Sequence, residues 1–134
     1  MKRILLDTSA YSHLMRGNRD IAALLDQADE VLLSAIVVGE LRAGFKSGSK
    51  EQQNKAVLQD FLSVINVGVL SIDDDTAERY SVIFDYLKKG GNPIPINDIW
   101  IAASAMQHGL VLVTSDQHFS VLPQIVSEIV LGAC

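Results

Sequence analysis

Short runs of apolar residues without a break, "ILL" at 4–6, "VLL" at 31–33 and "LVLV" at 110–113, constrain this chain most. A strand with one face in water alternates apolar and polar side chains; an unbroken run needs cover on both faces. Between these runs lie segments of helical character. "DIAALLDQA" reads as a short amphipathic helix, Ala35–Phe45 as a second helix, and 48–65 as a longer one with a polar start. Residues 73–89 read as a helix with acids at its positive N-terminal end, and 97–108 as a helix of small residues that Gly109 stops. "VGVLSI" (67–72) and 123–131 supply two more strands, and "GGNPIP" (90–95) is a loop rich in helix breakers. Strands alternating with helices give an α/β fold, a three-layer α/β/α sandwich around a central parallel sheet. With no repeat, low-complexity tract or linker, residues 1–134 are expected to form a single domain.

Apolar residues make up 49% of the chain, enough for a sizeable core in 134 residues. No apolar stretch reaches the length a membrane helix needs, and "ILL" ends at Asp7, too soon for a secretory signal. The single cysteine, Cys134, leaves no partner for an internal disulfide. A cytoplasmic protein with no membrane partner is expected. The net charge of −5 argues against a protein that simply coats nucleic acid, and no Lys or Arg occurs after Lys89. A polyanion would be held by the first two thirds of the chain, or through a bound cation.

Four acids do not read as surface acids. Asp7 follows "ILL" and Asp116 follows "LVLVTS", so both lie just past the carboxyl ends of core strands, where open parallel sheets bind ligands. Asp98 opens the small-residue helix. Glu40 sits in "SAIVVGELRAG", one helical turn from both Ile36 and Gly44, where a charge needs a partner. Singly, Asp7, Asp98 and Asp116 could be helix caps, and Glu40 could face water. Converging carboxylates raise one another's pKa and call for a counter-charge. Mg²⁺ or Mn²⁺, hard ions that prefer oxygen, fit that need. Zn²⁺ fits less well, because His13, His108 and His118 show no ligand spacing.

"LLDTSAY", "SAIVVGELRAG" and "INDIWIAASAMQHGLVLVTSDQHF", in that order and spacing, resemble the PIN-domain nucleases, and among them the small VapC-type toxins of toxin–antitoxin pairs. The resemblance covers nearly the whole chain. It implies RNA cleavage dependent on Mg²⁺ or Mn²⁺, a cognate antitoxin protein and a homodimer. Asp7, Glu40, Asp98 and Asp116 match the family's acidic quartet. Thr8 and Ser9 match its polar position after the first Asp, and Thr114 and Ser115 its lead-in to the last. One position departs: many relatives carry a further Asp before the final Phe, where this chain has His118. The resemblance thus supports a first metal site and not a second full one.

On that reading Asp7, Asp98 and Asp116 are metal ligands, directly or through water. Glu40 is a ligand or orients the attacking water. Ser9 and Thr114 donate hydrogen bonds to the carboxylates, with helix capping as the simpler alternative. Arg42 and Lys46, one turn apart, could hold flanking phosphates or form a solvated basic face; Lys88 and Lys89 are weaker candidates. A Mg²⁺-dependent phosphatase with Asp7 as nucleophile would want an acid at position 9, where Ser9 stands. A signalling receiver domain would need a Lys after the last core strand, and nucleotide-binding folds a glycine-rich loop after the first; the chain has neither. A catalytically inactive PIN-like interaction module is the remaining alternative.

Overall fold

The computed structural model describes residues 2–130. Its centre is a five-stranded, all-parallel sheet: β1 (Arg3–Leu6), β2 (Glu30–Ser34), β3 (Val67–Leu70), β4 (Val111–Thr114) and β5 (Val126–Ile129), in the order β3-β2-β1-β4-β5. Six α-helices flank it, making the expected α/β/α sandwich: α1 (Thr8–Met15), α2 (Arg19–Gln27), α3 (Ala35–Ser47), α4 (Glu51–Leu62), α5 (Asp74–Gly90) and α6 (Ile96–His108). A short 3-10 helix (Gln117–Val121) joins β4 to β5. No helix among the described residues is long and apolar enough to cross a membrane. The expectations resting on Leu131 and Cys134 lie outside the described residues.

The unbroken apolar runs are the three central strands. Ile4, Leu5, Leu6, Leu33, Leu112 and Val113 are fully buried, because helices cover both faces. Ile4 pairs with Val31 on one side and Val111 on the other, which fixes β1 in the middle. The chain winds outward from β1 through β2 to β3, then crosses back to place β4 on the opposite side. The strand order therefore reverses between β1 and β4, and a crevice opens at the carboxyl ends of strands at such a point. Asp7 and Asp116 follow those two strands.

The outer strands and α4 are shorter than the sequence suggests. β3 stops at Leu70, not Ile72, because Leu70 pairs with Ser34 and β2 ends there. β5 covers Val126–Ile129 rather than starting at 123: its partner β4 has only four residues, and Pro123 has no amide hydrogen to give. Helix α4 begins at Glu51, after the break at Gly48, and ends at Leu62 rather than near 65. Helix α6 starts after Pro95 and ends on Gly109, whose φ of +63° suits glycine. Its small side chains Ala102, Ala103 and Ala105 are buried. They let α6 pack closely, and that packing fixes where its first turn, with Asp98, comes to lie.

Candidate metal centre at the carboxyl edge of the sheet

Asp7 leaves β1 with its backbone N–H donating to Val113 O of β4 (3.2 Å), and its side chain turns inward, 4% exposed. Three donors hold the carboxylate. Oδ1 accepts from the Ala10 amide (2.8 Å), which caps α1, and from Ser9 Oγ (2.7 Å). Oδ2 accepts from Thr114 Oγ1 (2.5 Å). Each hydroxyl has one hydrogen and gives it to Asp7, so each is free to accept from a backbone amide. Ser9 Oγ accepts from Ser115 N (3.1 Å) and Thr114 Oγ1 from Asp116 N (2.9 Å). Two amides of the β4 turn thus reach Asp7 through two hydroxyls. Oδ1 is saturated; Oδ2 keeps a lone pair for another partner.

Asp116 caps the 3-10 helix, its Oδ1 accepting from His118 N (2.9 Å). Asp98 is not a cap. It lies in the first turn of α6, whose N-cap is Pro95, and its Oδ2 stands 3.3 Å from His118 Nδ1. The cap alternative therefore holds in part for Asp7 and Asp116, where capping occupies Oδ1 and leaves Oδ2 to other partners. It fails for Asp98.

Glu40, half-buried on α3, answers its sequence puzzle with two neutral donors. Thr8 Oγ1 donates to Oε1 (2.6 Å) and Asn97 Nδ2 to Oε2 (3.3 Å). Thr8 follows Asp7 and Asn97 precedes Asp98, so Glu40 is tied to both flanking acids. Within the protein itself, a pair of polar side chains satisfies this carboxylate. Asn97 carried no signal of its own, and the pairing of Thr8 with Glu40 depends on how α3 docks.

Burial raises the Asp7 carboxyl above its ordinary pKa, opposed by its bonds from Thr114, Ala10 and Ser9, while the Asp116 charge adds to the rise. Burial also raises Asp98, against the hydrogen bond from His118; the charges of Asp116 and Asp7 push further up. Desolvation thus outweighs the crowding that sequence reasoning put first. The charge of Asp116 acts on both Asp7 and Asp98, so the three acids share one electrostatic neighbourhood.

Among the described residues, Asp98, Asp116 and His118 bring one ligand atom each to within 4.8 Å of one another. His118 had no ligand spacing in the sequence, yet the turn after β4 brings it between two carboxylates. Asp7 and Glu40 lie outside that tight set. A divalent cation fits these residues: the donors are mostly carboxylate oxygens, and Asp7 Oδ2 is held by a single hydroxyl. Among the basic candidates, Lys46 is engaged with Glu51 (3.1 Å) and Lys89 with Asp85 (2.8 Å), both on the surface. Arg42 is exposed on α3, and Lys88 is exposed near the end of α5.

Residues 4–124 match the PIN domain family. Ribonuclease VapC5 of Mycobacterium tuberculosis is 31% identical over 117 residues, 87% of this chain and 85% of that protein. Toxin FitB of Neisseria gonorrhoeae is 36% identical over 121 residues, 84% of this chain and 87% of that one. The solved VapBC-5, a member of the VapBC family of toxin–antitoxin systems from Mycobacterium tuberculosis, superposes with a TM-score of 0.73 at 28% identity. It covers 97% of this chain and 98% of its own.

Proposed function

The chain belongs to the PIN-domain family, and from that premise we propose that it is an endoribonuclease, the toxin of a toxin–antitoxin pair, hydrolysing RNA phosphodiester bonds at the carboxyl edge of its sheet. One observation carries the assignment of the site. Three acids from separate elements gather where strand order reverses: the Asp116 charge raises the Asp7 carboxyl, and the charges of Asp116 and Asp7 raise Asp98.

Mg²⁺ or Mn²⁺ bound there would neutralise phosphate charge and supply an activated water at neutral pH. Asp98 and Asp116, with Asp7 directly or through a water, would hold the ion. Ser9 and Thr114 fix the Asp7 rotamer, so that this carboxylate needs no reorganisation on binding. Glu40, tethered by Thr8 and Asn97, orients the attacking water from the α3 side. Arg42 holds a flanking phosphate; Lys46, committed to Glu51, contributes less. The acidic chain thus attracts a polyanion locally, through the cation and one arginine.

An antitoxin protein would inhibit by presenting an Arg to these carboxylates, since a guanidinium pairs carboxylates in bidentate fashion and stays charged. A groove between α1, α3 and α4, with Tyr11, Met15, Leu41, Phe45 and Val57 as its apolar lining and Ser12, Arg16 and Asn54 as its polar lining, offers an amphipathic helix of that partner a seat. Exposed Phe84 and Ile96 supply apolar surface for a second copy of the chain. The test is cleavage of RNA by the purified chain, free of partner, in Mg²⁺ or Mn²⁺ and in EDTA. Cleavage is expected with metal only, falling at least ~100-fold in Asp7→Asn, Asp98→Asn and Asp116→Asn. Undiminished cleavage in excess EDTA would contradict the reading.

A further inference from the structure

His118 Nδ1 lies 3.1 Å from Asp116 Oδ2 and 3.3 Å from Asp98 Oδ2. Its backbone N–H is bonded to the other oxygen of Asp116, so one carboxylate anchors the residue and faces its ring. A ring nitrogen carries at most one hydrogen and makes one straight bond with it. One of the two carboxylate oxygens therefore faces the nitrogen without a good hydrogen bond. A shared cation satisfies all three atoms at once. Cis ligands about 2.1 Å from an octahedral ion stand about 3 Å apart, close to both separations found here.

We propose that His118 is a ligand of this metal centre, adding a nitrogen to an otherwise oxygen set, and that the centre therefore favours Mn²⁺ over Mg²⁺. The proposal rests on the metal site named above and goes beyond it in assigning a fourth side chain and a preference. Mg²⁺ is a hard ion that holds oxygens and waters and gains little from imidazole. First-row transition ions accept imidazole, and Mn²⁺ among them still suits carboxylates. In the opposing reading, His118 only hydrogen-bonds to the acids and competes with the ion.

The full chain and His118→Ala are titrated with Mn²⁺, following the free ion by electron paramagnetic resonance, and with Mg²⁺ in competition. Pulsed measurements on bound Mn²⁺ read coupling to a directly bonded nitrogen. The ring is half exposed, so the variant is expected to fold, and its melt checks this. Wild type should show nitrogen coupling that the variant lacks, and Mn²⁺ affinity should fall ~10-fold or more while Mg²⁺ affinity changes less than ~3-fold. His13→Ala and His108→Ala should keep the coupling. Bound Mn²⁺ without nitrogen coupling, coupling that survives His118→Ala, or tighter Mn²⁺ binding in that variant overturns the role of His118 and leaves the metal site standing. Failure of wild type to bind Mn²⁺, or binding unchanged in Asp98→Asn, overturns both.

Discussion

Asp7 is held by residues of α1 and β4 at once, so its carboxyl reports on the closure of the whole edge. The fully buried Thr114 hydroxyl is the most exposed to test. Thr114→Val keeps the shape but strands Asp7 Oδ2 and the Asp116 amide. A loss of about 1–3 kcal/mol in a urea melt is expected, with metal affinity down ~10–100-fold. If Thr114→Val binds metal as wild type does, the hydroxyl only tidies a turn. Asp98 makes a prediction of opposite sign. Its folded pKa is raised above the ordinary carboxyl value, so the metal-free folded state binds that proton more tightly than the unfolded chain. The resulting penalty is absent below the unfolded pKa, grows as pH rises through the raised folded value, and is complete at neutral pH. Asp98→Asn in EDTA should therefore match or exceed wild-type stability at pH 7, with its advantage shrinking as pH falls towards 4. Melts of both proteins across that range decide it. A variant clearly less stable at pH 7 would make Asp98 a structural residue.

At the scale of elements, the central strands were legible because burial on both faces leaves an unbroken apolar run. The positions of Asp7 and Asp116 followed from where those runs end. Edge strands were overread: β3 and β5 pair on one side only, and their ends are set by the partner strand, which local sequence does not record. The same limit hid His118 and Asn97. His118 meets Asp98, and Asn97 meets Glu40, only once the elements have docked, and their spacing in the chain says nothing of it. Gly109 was legible as a helix stop, and its φ of +63° makes the reading testable. A Cβ there meets no neighbour within 4 Å, so Gly109→Ala isolates backbone strain. It should cost about 1 kcal/mol, seen as a shift in the urea midpoint with unchanged slope. No shift would mean that the turn relaxes.

For the molecule as a whole, a chain of net charge −5 works on a polyanion only if its negative centre is inverted locally. The sheet supplies the means by gathering acids at the reversal of strand order. Asp7, buried there, and Asp98, half-buried, are held with raised carboxyl pKa values at a cost that a bound cation would offset, a trade of stability for function expected of active sites. The central claim is that this edge binds the ion that cleaves RNA, and an anomalous difference map from crystals soaked in Mn²⁺, at a concentration that supports cleavage, tests it most directly. The account predicts a peak about 2.2 Å from carboxylate oxygens of Asp98 and Asp116 and facing Asp7 Oδ2, absent from Asp98→Asn crystals. Cleavage-competent crystals with no peak there, or with the ion bound elsewhere, would contradict it.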